Sequence, residues 1–164
     1  MIFSMNFSPR IRSKGFTLIE LLVVMTIVAI LMGISIVGFT GVRKGSRDTQ
    51  RKADLQRIAT SYETYRSDCG HYPDAMSSPT RGNDPFPSSS CPVSNVYLQL
   101  VPSDPISTLN YQYVPDPVAG VTVAYSLCAY LEIAPSTPVS AACTISCGSI
   151  GGSSVNCNYE VTSP

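Results

Sequence analysis

The sequence has little of what catalysis uses. It contains one histidine, His71, and no Gly-rich phosphate loop, nucleophile elbow or paired acid and base, so an enzyme is not expected. His71 stands among tyrosines with no Ser or Cys nucleophile arranged around it, and reads as a surface or packing residue rather than a catalytic base. C-x2-C pairs are also lacking. The closest cysteines are Cys143 and Cys147, and with a lone histidine this spacing argues against zinc. An excess of base is missing too: formal net charge is zero, and Arg10, Arg12 and Lys14 precede every acid. Beyond them the chain is mildly acidic, which offers no broad surface to a phosphate backbone and makes nucleic acid a poor primary partner.

Charge is scarcest between Phe16 and Phe39, where Glu20 alone is ionisable. As a helix this run would extend about 36 Å, enough to cross a hydrocarbon core of about 30 Å. A carboxylate inside such a run costs on the order of 3 kcal/mol at the bilayer centre and less near the interface. Glu20 therefore calls for an explanation. The bases Arg10, Arg12 and Lys14 beside the run predict a cytoplasmic N-terminus and an external C-terminal domain. The six cysteines, Cys69, Cys91, Cys128, Cys143, Cys147 and Cys157, agree, since all follow the run and an even count suits disulfides in an oxidising compartment. Two plain readings compete: a secretory signal peptide with small residues at Gly33 and Ser35, and an uncleaved single-pass anchor.

Lys14-Gly15-Phe16-Thr17-Leu18-Ile19-Glu20-Leu21 resembles the processing and assembly signature of type IV prepilins and type II secretion pseudopilins. The resemblance implies that a prepilin peptidase cuts between Gly15 and Phe16 and methylates the new N-terminal Phe16. The basic leader is then lost and the apolar helix kept. The new amine is positive near neutral pH. In a bundle of such helices Glu20 of one subunit would pair with the Phe16 amine of the next, a strong interaction in a low dielectric that favours one axial register. A Glu20 that merely reaches toward the headgroups is the alternative. Pilins of the family often have a proline farther along this helix. Here there is none between Phe16 and Arg66, so no sharp kink is expected, although Gly33, Gly38 and Gly41 weaken the distal half.

From Val42 to Arg66 the pattern turns amphipathic. Leu55, Ile58, Ala59, Tyr62 and Tyr65 form one helical stripe, with Arg51, Lys52, Asp54, Arg57 and Glu63 off it. The bases Arg43, Lys44, Arg47, Arg51 and Lys52 read as a solvated face. Gly70 and Pro73 predict that the helix stops near Cys69. Tyr65 to Asp74, with its Gly and Tyr-Pro, resembles the pseudopilin phrase at the helix end. Residues 75–92 read as a loop pinned by Cys69 and Cys91, which are expected to pair. Val96 to Val101 reads as a short helix or turn. Tyr111–Val114, Val121–Cys128 and weaker candidates around Val139–Ile145 and Tyr159–Val161 read as an antiparallel sheet of three or four strands. Leu100 to Tyr113 resembles the Leu-x-Asp-Pro and Tyr-x-Tyr region of major pseudopilins, near which that family can hold calcium. Only Asp104 and Asp116 are obvious donors here, fewer than calcium takes, so no cofactor is expected. The tail from Ser146 departs from the family and reads as a stapled surface loop or an interaction face.

The expected fold is α+β: a long N-terminal transmembrane and amphipathic helix packed on a small, disulfide-bonded antiparallel sheet. The expected parts are a leader (1–15), an assembly helix (16–40), an amphipathic helix (41–70) and a β domain (71–164). The expected function is a filament subunit of a type IV pilus or a type II secretion pseudopilus. Its partners would be its own copies, related pilins, the prepilin peptidase, the inner-membrane assembly platform and the bacterial inner membrane. The alternative is a membrane-anchored external binding module that does not polymerise.

Overall fold

The computed structural model describes residues 15–83 and 90–164, apart from the side chains of residues 34–38. Arg10, Arg12 and Lys14 lie outside the described residues. The chain divides into two compact units, Met1–Gly41 and Val42–Pro164. Helix α1 (Leu18–Cys69) supplies the backbone of the first and opens the second. It begins where Thr17 and Glu20 satisfy each other's exposed groups and ends at Gly70, whose φ of 79° lets its amide turn back 2.8 Å onto the Arg66 carbonyl.

In the second unit the helical stripe of Leu55, Ile58, Ala59, Tyr62 and Tyr65 is buried throughout, as its spacing predicts. It is covered by a three-stranded antiparallel sheet of β3 (Gln112–Val118), β4 (Val121–Ala129) and β7 (Tyr159–Thr162), with β4 in the middle. Successive side chains of a strand point to opposite faces. Tyr125, Leu127 and Ala129 of β4 accordingly join the helix side, where Tyr72, Leu98 and Tyr111 complete the core. Cys128 joins the other side, in a second cluster made with Cys143, Cys147 and Cys157. The sheet therefore has an aromatic core on one face and a core of cystine sulfur on the other.

The pairings are Cys69–Cys91, Cys128–Cys143 and Cys147–Cys157. The first agrees with the expectation from the loop. The α+β fold class holds as well, but several local readings are corrected. Val96–Leu98 is strand β2 rather than a helix or turn, and it pairs with β1 (Thr80–Arg81) inside the supposed loop. The stretch around Val139–Ile145 holds a 3-10 turn, Ala141–Cys143, because Cys143 has to turn inward to reach Cys128. The tail is a hairpin of β5 (Ser146–Ile150) and β6 (Ser153–Asn156), closed by Cys147–Cys157. One sheet was expected, and the described residues form a sheet and two ribbons.

The hairpin sits close to the chain before β3. Leu109 bridges to Gly148, and the Ser149 amide donates to the Thr108 carbonyl at 3.1 Å. Gly148 has φ of 125°, and a Cβ there would stand 2.1 Å from the Thr108 oxygen, so only glycine fits. Gly148→Ala is expected to destabilise by about 3 kcal/mol, through steric overlap and backbone strain together. Urea denaturation followed by circular dichroism would measure it, and a wild-type midpoint would contradict this packing.

Candidate functional site

Two features stand out, an apolar segment with one acid in the first unit and a network of charges in the second. In the first unit, Thr17 precedes α1 and its amide and hydroxyl donate to Glu20 Oε2 at 2.8 and 2.7 Å. The Glu20 amide returns a bond to the Thr17 hydroxyl at 3.3 Å. This is a capping box, in which Ser or Thr before a helix and Glu three residues later satisfy one another's orphan donors. Sequence reasoning missed this role, for which the spacing Thr17-x-x-Glu20 was the available signal. Glu20 thus has a role within its own chain, and both bonds fall on Oε2. Around it the apolar side chains from Phe16 to Met32 are exposed on every face of the helix, Phe16 at 87%. A helix apolar all round is one that buries itself in something else. Among the described residues no helix is long and apolar enough to cross a membrane. The expected span from Phe16 to Phe39 includes residues 34–38, whose side chains lie outside the described set.

In the second unit the expected solvated face is corrected at Arg51, whose side chain is 0% exposed. Its Nε and Nη2 donate to the two oxygens of Asp104 at 2.8 and 2.9 Å, a fork-on-fork pair. Its Nη1 donates to Asp48 at 2.7 Å and to Glu132 at 3.2 Å. Arg47 holds Glu132 from the other side through Nε and Nη2 at 2.6 and 2.7 Å. The Asp48 carboxylate accepts the amides of Glu132 and Ile133, and Asp104 accepts the amide of Ile106. The bond from Arg47 holds the Glu132 carboxyl below the usual carboxylate range. Asp48 and Arg51 stand seven and four residues before Leu55, so they continue the apolar stripe. That spacing was the available signal, and their charge hid it.

Three further carboxylates of α1 meet tyrosines of the sheet side. The hydroxyl of Tyr111 donates to Asp54, that of Tyr72 to Glu63 and that of Tyr97 to Asp68, at 2.8, 3.0 and 3.0 Å. Tyr62 lies between Tyr113 and Tyr125 in edge-to-face contacts with centroids 5.3 and 5.6 Å away. Burial pushes its phenol up to about 12, and burial likewise raises Tyr111, Tyr113 and Tyr125 well above the usual value. His71 accepts from the Asn83 amide at 2.8 Å, has Nδ1 against the Tyr72 carbonyl, and packs edge-on to Tyr65. Asp104, one of the two acids noted above as oxygen donors too few for calcium, is filled by Arg51. Asp116 lies on β3, and among the described residues no group of acids, cysteines and histidines is arranged to hold a metal.

The architecture is that of a pilin-like subunit: an apolar helix with one acid near its start, continuing as the packing helix of a small disulfide-bonded sheet. Comparison with known proteins gives two likenesses, each over part of the chain. Residues 10–36 match the family model described as the prokaryotic N-terminal methylation motif. The chain is also 34% identical over 82 residues to the type IV major pilin protein PilA of Myxococcus xanthus (strain DK1622). That alignment covers 48% of this chain and 36% of the relative, so the chain spans about a third of the length of the protein it matches. No solved structure matches. Both findings support the type IV pilin family, as the motif around Gly15, Phe16 and Glu20 predicts.

Arg51→Ala is expected to cost about 3 to 5 kcal/mol, because it leaves Asp48 and Asp104 buried without their cation. Arg51→Lys should recover only part of this, since an ammonium cannot grip Asp104 with two parallel bonds. Chemical denaturation of the three proteins would check the order. With the phenols raised, stability should be level below the ordinary tyrosine value near pH 10. Above it stability should fall, because the unfolded chain then releases protons that the native phenols retain. Equilibrium unfolding between neutral pH and pH ~11 would show the fall, and a flat profile would contradict the burial.

Proposed function

We propose that this chain is a structural subunit of a type IV pilus or type II secretion pseudopilus filament. It is made with a leader carrying Arg10, Arg12 and Lys14, held in the bacterial inner membrane with its N-terminus cytoplasmic, and cut between Gly15 and Phe16 by a prepilin peptidase that methylates Phe16. An inner-membrane platform then draws it into a filament whose core is the apolar part of α1, beside its own copies and related pilins. The observation that carries this reading is the methylation motif over residues 10–36, set on a helix whose apolar side chains face outward on all sides.

In that setting Glu20 has two partners in turn. Thr17 satisfies Oε2 within the chain, and Oε1 is left for the Phe16 amine of a neighbour. A bare carboxylate would oppose membrane residence, and the capping box lowers that opposition while keeping the charge in place.

Mass spectrometry of the mature chain should find Phe16 at the N-terminus with one added methyl group. A start at Met1 would favour an anchored module that does not polymerise, and a start near Ile36 a secreted domain. Glu20→Ala should leave membrane retention unchanged or improved and abolish filaments in sheared fractions. Normal filaments from that variant would show that the carboxylate does not dock the subunits.

A further inference from the structure

Among the described residues, Arg57 and Asp116 are opposite charges whose side chains have no partner. Every other described carboxylate takes a bond inside the chain: Glu20 from Thr17, Asp54, Glu63 and Asp68 from tyrosines, Asp74 from Thr122, and Glu160 from Ser126 and Ser140. Asp48, Asp104 and Glu132 surround Arg51. Asp116 takes none among the described residues, and neither does Arg57. Lys44 is also unpaired there, but it lies on the side of α1 that carries Asp48 and Arg51. At about 100° per residue, Arg57 points away from the core stripe.

The surroundings of both residues suit an encounter. Arg57 stands in an open groove of about 660 Å³ with Thr60, Ser61, Thr64 and Tyr97. The hydroxyls of Thr60, Ser61 and Thr64 each donate to the carbonyl four residues back, so this face is small, smooth and crossed by one cation. Asp116 lines a groove of about 410 Å³ with Val114, Ala124 and Ala142. It sits on β3, an edge strand, between Pro115 and Pro117. Prolines have no N–H to give, so a strand cannot add to that edge there and a partner has to engage it through side chains. Beside it the hairpin end exposes Val118 at 59%, Val121 at 46% and Val123 at 43%.

We infer that the outward face of α1 around Arg57 docks on the Asp116 groove of a second copy of this chain, with the guanidinium on the carboxylate and the valines against the small residues of the helix. The contact joins two different patches, so it is head to tail and leaves each copy a free patch for the next. It rests on the filament reading and names the surface by which the folded domains would meet.

The test uses the full-length chain in cells that process and assemble it. Arg57→Glu and Asp116→Lys should each lower sheared-filament yield roughly tenfold, and the double variant should restore it to within about threefold of wild type. A chain carrying Arg57→Cys and Asp116→Cys should form a ladder of oligomers on non-reducing gels. Single reversals at wild-type yield, a double variant no better than the worse single, or no ladder would each overturn the docking. A wild-type chain that forms no filaments would overturn the filament reading instead, and a ladder in its absence would still support the contact.

Discussion

A guanidinium with no access to solvent holds the folded unit together. Arg51 is fully buried, and an isolated charge there would be costly, so its position requires Asp48, Asp104 and Glu132 to converge on it. Those three acids come from the helix, from the chain before β3 and from the chain after β4. Satisfying one cation therefore brings together three distant segments. The bonds from Asp48 to the backbone of Glu132 and Ile133 extend this by fixing the path of the chain as it leaves the sheet.

The rest of the helix contact is graded from ionic to aromatic. Below the clamp, Tyr111 reaches Asp54, the apolar stripe meets β4, and Tyr72, Tyr125 and Tyr97 close onto Glu63 and Asp68. A tyrosine offers a large apolar ring and one donor, which suits a helix face that alternates leucine, isoleucine and acid. On the far face of the sheet there is no comparable apolar set. Four half-cystines fill that space, and the covalent links replace the burial that a chain of this size cannot supply there.

The filament reading assigns separate tasks to the two parts of α1. The residues from Phe16 to Met32 show apolar surface on all sides, whereas those from Asp48 onward commit one side to their own sheet. The side opposite that sheet remains, small and nearly uncharged apart from Arg57. Filament growth by identical copies needs two different surfaces on one subunit, and the helix face and the β3 edge are chemically different in the required way.

Much of this was legible in residue order. Periodicity alone placed the buried stripe from Leu55 to Tyr65, Gly70 marked the helix end, and the motif from Lys14 to Leu21 pointed to the family that the comparisons support. These are local signals, set by helix geometry, by glycine's access to positive φ and by charge beside an apolar run. The sequence by itself also determined that the six cysteines would pair, through their number and compartment. The loop between them pointed to Cys69–Cys91, but only the tertiary structure decided the other two pairings, because Cys128 faces Cys143 through the alternation of β4 and the turn at Ala141–Cys143. It alone decided that Arg51 is buried, since charge on a stripe reads as solvent until acids distant in the chain are folded against it. The strands at Thr80–Arg81 and Val96–Leu98 belong to the same class: each is too short to carry a pattern, and pairing with the other is what makes it a strand.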